Sequence, residues 1–380
     1  MNLDSLRTEI DAVDSQLVEL FSRRMDISAN IARCKQDMGK KIFDPQRERE
    51  KLCKIAELAG EDMREYTTAL YSLIFDLSKS CQQRLIAAES ETGKRMKEAL
   101  ENTPQLFPGF AAVACQGVEG AYSQIACEKL FSLPSIMYFK SFDAVFTAIE
   151  EGFCKYGVLP IENSTAGSVN QVYDLMMRHK FYIVRSVRVK VDHSLVALPG
   201  TKLEDIKEIV SHPQAINQCS AFLASLKGVT VTEMENTAEA AKYVAQSGRG
   251  DLAAISSGNC SALYGLDILR DSVQNSGGNF TRFICISKDL EIYPGADKTS
   301  IMAVTAHKPG ALYKLLSRFY AHNINLTKLE SRPLPDKNFE FMFYFDLEKS
   351  IYSPELISLI GEMTELCDRF EYLGSYSEVI

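Results

Sequence analysis

From Leu3 to Met38, apolar residues recur every three and four positions: Leu3, Ile10, Leu17 and Ile31, with Val13, Leu20, Ile27 and Cys34 beside them. That period predicts a helix with one buried apolar stripe. Running to Gly39, such a helix would be about 54 Å long, and so long a helix needs a partner along its length. Arg24 falls inside the stripe, between Leu20 and Ile27. The spacing predicts it on the core side, where an unpaired guanidinium is costly. Lys35 comes three helical turns later and shares nearly the same face. Arg7 precedes Arg24 by about 25 Å along the axis. One small anion cannot touch both arginines of one helix, so if both serve one site, Arg7 comes from a second chain.

Asp44 and Pro45 predict an N-cap and first position for a second helix, to about Leu58. A third is expected from Asp62 to Ala88, with Leu70, Leu73, Ile74, Leu77 and Leu85 as its apolar face. Residues 1–90 therefore form an all-α unit. The polar stretch that follows, broken by Pro104 and Pro108, is expected to be a linker over 91–110. The 380 residues are enough for two or three domains. Net charge −8 argues against a nucleic-acid partner, and no apolar run approaches the roughly 20 residues that cross a bilayer. Ten cysteines without C-x-x-C spacing suit reduced thiols, so a cytoplasmic location is expected, with no membrane partner and no metal. The first of five histidines is His179, so whatever the helical unit does, it does without imidazole.

Past Ala111 short β-like runs alternate with helical ones, which predicts an α/β domain over 111–290 with a largely parallel sheet. Its size suits two lobes and a cleft, an architecture like that of periplasmic binding proteins. Residues 298–380 read as strand, helix, strand, strand, helix, strand, an α+β ferredoxin-like order.

In the helical unit Arg7, Arg24, Lys35 and Arg47 supply cations, and Ser78 and Gln82 stand four residues apart on the third helix. Fixed cations converging on an apolar-walled pocket suit a small dicarboxylate. This set, with Asp44 and the Arg47–Glu48–Arg49 run, resembles the all-helical class of chorismate mutase over Leu3 to about Arg84. That reaction is a unimolecular rearrangement and needs no base or nucleophile. The resemblance implies that Arg24, Arg47 and a partner chain's Arg7 hold carboxylates. It implies that Lys35 and Gln82 face the ether oxygen, and that Asp44, Glu48 and Ser78 engage the hydroxyl side or the groups around it. Gln82 is a neutral donor, so mutase activity is expected to persist above neutral pH.

The α/β region carries Gly117-Val-Glu-Gly-Ala-Tyr-Ser123, Glu162-Asn-Ser-Thr-Ala-Gly167, Ser211-His-Pro-Gln-Ala-Ile-Asn-Gln218 and Asn279-Phe-Thr-Arg-Phe283, all at expected strand ends, where open α/β sheets bind ligands. Each alone could be an ordinary turn or helix cap. In this order they resemble prephenate dehydratase. The resemblance implies Thr281 as the key catalytic residue, with Glu162, Asn163, Ser164, Ser211 and Gln214 as substrate binders. Glu162 could give a proton only if burial raised its pKa, and strand alternation puts Arg282 on the face opposite Thr281. His212, beside Pro213, reads as a turn residue. The C-terminal order resembles an ACT domain, which implies a phenylalanine site from Gly310, Ala311 and Leu312 with Glu330, Ser331 and Arg332.

Together these resemblances imply a bifunctional enzyme of phenylalanine biosynthesis. It would turn chorismate into prephenate and prephenate into phenylpyruvate, with phenylalanine as effector, no cofactor, and a homodimer or higher homo-oligomer. The rival is a non-enzymatic amino-acid sensor with a helical dimerisation unit. It accounts for the architecture but not for Arg24, Lys35, Arg47, Ser78, Gln82 and Thr281 together.

Overall fold

A computed structural model describes residues 2–38, 44–87, 91–334 and 340–380. The first three helices are α1 (Leu3–Asp37), α2 (Pro45–Ala59) and α3 (Arg64–Ala87). Asn2 caps α1, and Asp44 caps α2 by accepting from the Arg47 amide at 3.1 Å. The expected burial of the α1 stripe is not met within one chain. Leu3 is 61% exposed, Leu17 55% and Ile27 53%. Within α1 only Ser28 and Ala32, in its second half, are buried. The rest of α1 extends past its own neighbours, and among the described residues nothing in the same chain covers its apolar side.

The expected linker contains a fourth helix, α4 (Glu91–Asn102). Its buried Met96 and Ala99 join the C-terminal core beside Ile292 and Leu356. Further along, the Phe107 ring lies 5.0 Å from that of Phe131 and 4.9 Å from that of Tyr293. The helix escapes a sequence reading because its apolar side is only Met96, Ala99 and Leu100, at a spacing of three and one, in a strongly charged segment.

The central region has two sheets and therefore two lobes, as its length implied. In lobe one the strands run in the order Glu378–Val379, Tyr182–Lys190, Phe280–Ser287, Tyr156–Asn163, Phe110–Gln116, Leu133–Phe139. Lobe two has the order Asp267–Arg270, Ser194–Ala197, Leu252–Ser256, Glu208–Ser211, Thr230–Glu233. The largely parallel sheet expected from strand–helix alternation is corrected to a mixed one. Phe280–Ser287 is antiparallel to both its neighbours in lobe one, and Ser194–Ala197 to both of its own in lobe two. The chain leaves lobe one after Lys190, builds lobe two, and comes back through 271–279 running the other way.

The C-terminal unit is a four-stranded antiparallel sheet, in the order Asn325–Pro333, Phe341–Glu348, Lys298–Val304, Arg369–Tyr376. Helices Ala311–Ala321 and Pro354–Leu366 cover one face through Leu315, Phe319, Leu359 and Ile360. The other face, Met302, Val304, Met342 and Tyr344, packs on lobe one, where the Tyr173 and Tyr344 rings meet edge to face at 4.7 Å. The final strand expected from Tyr372 to Val379 is split. Its first part stays in the C-terminal sheet, while Glu378–Val379 pairs with lobe one at Ser186 and Val187. Gly374, at φ +129°, permits this crossing, because a Cβ there would stand 2.3 Å from the Ile183 carbonyl oxygen.

Candidate functional sites

A cavity of about 280 Å³ opens between the second half of α1 and helices α2 and α3. It is lined by Arg24, Lys35, Asp44, Arg47, Glu48, Ser78 and Gln82, which is every residue expected at the mutase site except Arg7. Arg7 lies far along α1, exposed and paired with Asp4 at 3.5 Å. Arg24 donates to Ser78 Oγ, and its guanidinium carbon sits 5.4 Å from the centre of the Phe75 ring. Burial pulls its pKa down, but a guanidinium stays charged through the physiological range. Gln82 donates to Ser28 Oγ at 2.6 Å, and its amide nitrogen carries a second hydrogen. Two further cations, Lys51 and Lys79, line the wall. Five cations thus face two carboxylates, a field that favours a dianion. Lys79 went unnoticed in the sequence although it lies three residues before Gln82, on the same face of α3.

The second site lies where the chain crosses between the lobes. Asn163 Nδ2 donates to Thr281 Oγ1 at 2.9 Å and to Asn279 Oδ1 at 2.8 Å. Asn163 Oδ1 in turn accepts from the Thr165 hydroxyl at 2.7 Å and from the Ala166 amide at 2.9 Å. Ser164 ties the same strand ends together, accepting from the Phe280 amide at 2.9 Å and donating to the Gly278 carbonyl at 3.1 Å. Because Thr281 Oγ1 accepts from Asn163, its own hydrogen is left to point elsewhere.

Gln218 ends the Ser211–Gln218 stretch but is not among the binders expected from the sequence. Its amide nitrogen donates to Thr165 Oγ1 at 3.0 Å, while its oxygen accepts from Asn279 at 3.0 Å and meets His193 Nε2 at 2.9 Å. It therefore carries lobe two onto the Thr281 cluster. The available signal was helical spacing, since Gln218 is one turn beyond Gln214. Gln214 itself is exposed, and its amide donates to His212 Nδ1 at 3.2 Å, so His212 is a helix cap. Ser211 is fully buried, with its hydroxyl on the Ile255 carbonyl at 2.6 Å.

Glu162 is not placed with Thr281. Strand alternation turns it to the other face, where Arg282 Nε lies 2.8 Å from one carboxylate oxygen and Lys328 Nζ 2.8 Å from the other. The Glu162 carboxylate is therefore committed to the contact with the C-terminal unit. Arg282 is buried and continues the contact to Asp346. Burial alone would lower its pKa, but Asp346, Tyr376, Tyr344 and Glu162 more than compensate and raise it.

The tyrosine of Gly-Ala-Tyr-Ser has a structural use, with Tyr122 donating to the Asp192 carbonyl at 2.5 Å. In the C-terminal unit Gly310, at φ +79°, begins the helix that carries Ala311 and Leu312. Glu330 and Arg332 turn instead toward lobe one. Glu330 accepts from Ser168, and Arg332 forks onto Asp174 at 2.9 and 2.8 Å. Ser331 pairs with Phe343 on the helix-covered side and is exposed. The expected regulatory residues are thus divided between two faces of one sheet.

Residues 113–291 match the prephenate dehydratase family, and residues 6–83 match chorismate mutase type II. Arogenate dehydratase 2 of Petunia hybrida is 38% identical over 281 residues, which are 70% of this chain and 71% of that protein. The chain belongs to the prephenate dehydratase family. Arogenate dehydratase/prephenate dehydratase 1, chloroplastic, of Arabidopsis thaliana matches at 38% over 70% of this chain and 71% of its own. Among solved structures, prephenate dehydratase from Arthrobacter aurescens in complex with L-Phe superposes with TM-score 0.65 at 25% identity, over 70% of this chain and 89% of that one. A protein described as GqqA, a novel type of quorum quenching acylase, gives TM-score 0.64 at 30% identity, over 70% of this chain and 97% of that one. With both domains in one chain, the dehydratase is a bifunctional enzyme of phenylalanine biosynthesis, an isomerase joined to a lyase. Among the described residues, no helix is long and apolar enough to cross a membrane.

Proposed function

We propose that the α1–α3 cavity converts chorismate to prephenate and that the Thr281 cluster converts prephenate to phenylpyruvate, water and carbon dioxide. The observation that carries the first assignment is the single cavity shared by Arg24, Lys35, Arg47, Ser78 and Gln82. Arg24 and Arg47 grip carboxylates, while Lys35 and Gln82 stabilise charge building on the ether oxygen. Glu48 engages the substrate hydroxyl, Asp44 fixes the start of α2, and Ser78 orients Arg24. The exposed α1 stripe is covered by α1 of a second chain, which brings its Arg7 to the site and makes the enzyme a homodimer or larger.

In the second reaction Thr281 donates its free hydroxyl hydrogen to the departing ring hydroxyl. A threonine is too weak an acid to protonate it unaided, so Thr281 acts as a hydrogen-bond donor or relay. Asn163 holds Thr281, Ser164 fixes the strand ends, and Gln218 closes lobe two onto them. Ser211 and Gln214 line lobe two, Ser211 by holding the strand and Gln214 from the surface. The C-terminal unit is an ACT domain that binds phenylalanine at Gly310–Leu312 and Ser331 and lowers the enzyme's activity. Ten free cysteines support a reducing compartment, the cytoplasm.

The decisive variant is Thr281→Ala. Phenylpyruvate formation should fall by about 10²-fold or more, while chorismate consumption is unchanged. Full dehydratase activity in this variant would refute the assignment. Arogenate, named in several relatives, is the competing substrate, and kcat/KM for each decides between them.

A further inference from the structure

The α1–α3 cavity is connected to the C-terminal unit by a line of charges that runs on from Glu48. Glu48, on the cavity wall, pairs with Lys79 Nζ at 3.2 Å. Lys79 also pairs with Asp76 at 2.9 Å, one turn back on α3. Asp76 is buried, and across the domain boundary it meets Arg318 of helix Ala311–Ala321, 242 residues away in sequence. Arg318 is 2% exposed. It donates to the Asp76 backbone carbonyl, stands 3.6 Å from the Asp76 carboxylate, and lies 3.8 Å from Glu362. Glu362 in turn pairs with buried His322 at 2.8 Å.

We propose that Arg318 is a positioning residue for the mutase, acting on Glu48 through Asp76 and Lys79, so that the C-terminal unit is a structural part of the mutase site. The inference rests on the role given to Glu48 above. Asp76 is a buried carboxylate shared by two cations, and a buried charge that loses one counter-ion draws harder on the other. Without Arg318, Lys79 becomes the main counter-ion of Asp76 and releases Glu48 from its place on the wall. Any ligand or contact that shifts helix Ala311–Ala321 therefore acts on the mutase by the same route.

The test uses the full-length chain and both assays. Arg318→Met removes every contact. Arg318→Gln can still donate to the Asp76 carbonyl but carries no charge, and it serves if the methionine variant does not fold. The expected result is a mutase kcat/KM about tenfold lower, with dehydratase activity retained. Glu48→Gln should lower mutase activity on its own. In the Glu48→Gln background, changing Arg318 should cost little more, because its effect passes through Glu48. Losses that simply multiply would show that Arg318 only stabilises the fold, and overturn the proposal. So would an unchanged mutase in the Arg318 variants. An unchanged mutase in Glu48→Gln alone would instead refute the role of Glu48, and the proposal with it.

Discussion

Single side chains at the lobe crossing tie the stability of the fold to pH. His193 is 2% exposed, and burial pulls its pKa below the ordinary 6.5, against weaker opposing effects from Gln218 and Asp192. Gln218 Oε1 already accepts from Asn279, so His193 Nε2 donates to it and the neutral imidazole fits the network. Above pH 6.5 the group is neutral both folded and unfolded, and contributes no pH dependence. Below 6.5 the unfolded chain takes the proton first, so stability falls as pH falls toward the depressed folded pKa. In thermal unfolding followed from pH 7.5 down, His193→Gln should show a shallower decline than the wild type. His212 is also depressed by burial, but it is common to both proteins, and the difference between them isolates His193. Equal slopes would mean that His193 is not held neutral by the fold.

Among the elements, α1 makes the strongest demand on a second molecule. Its apolar stripe is regular in sequence yet exposed along the first half, and Arg7 stands exposed on that half, paired with Asp4. Mixing an Arg7→Ala chain with an Arg24→Ala chain should therefore recover mutase activity. Random pairing of exchanging chains leaves roughly a quarter of sites with both arginines. The assay is chorismate loss, after incubation under conditions where chains exchange. A mixture as inactive as its components would show that no site is shared along this helix. The same scale explains two elements that sequence did not reveal. Helix α4 has too narrow an apolar side to stand out from its charges, and Glu378–Val379 is too short to be read as a strand of another sheet.

Taken whole, the molecule is held together by polar contacts between units that are far apart in sequence. Arg282 of lobe one is shared between Glu162 and the fully buried Asp346 of the C-terminal sheet, and Asp346 also accepts from Ser300 at 2.5 Å. Neutralising one partner leaves a buried charge without its main counter-ion. Asp346→Asn should cost about 3–5 kcal/mol, read as a lower midpoint in urea unfolding. An unchanged midpoint would mean that the apolar packing around Tyr173 and Tyr344 carries the contact alone.

Periodicity and residue type determined much of this protein. The long first helix, the capped second one, the two-lobed centre and the βαββαβ end all follow from apolar spacing and turn chemistry, which are local. The residues that share the α1–α3 cavity were legible for the same reason, since three helices with fixed spacing can converge in few ways. Tertiary structure decided what depends on how distant segments meet. It turned Glu162 away from Thr281 and toward Arg282, brought Gln218 to the crossing, reversed the returning strand of lobe one, and set Arg318 against Asp76. Each is a pairing across tens to hundreds of residues, and the free energy of such a pairing depends on burial and on the partner's identity, neither of which is written in the local pattern.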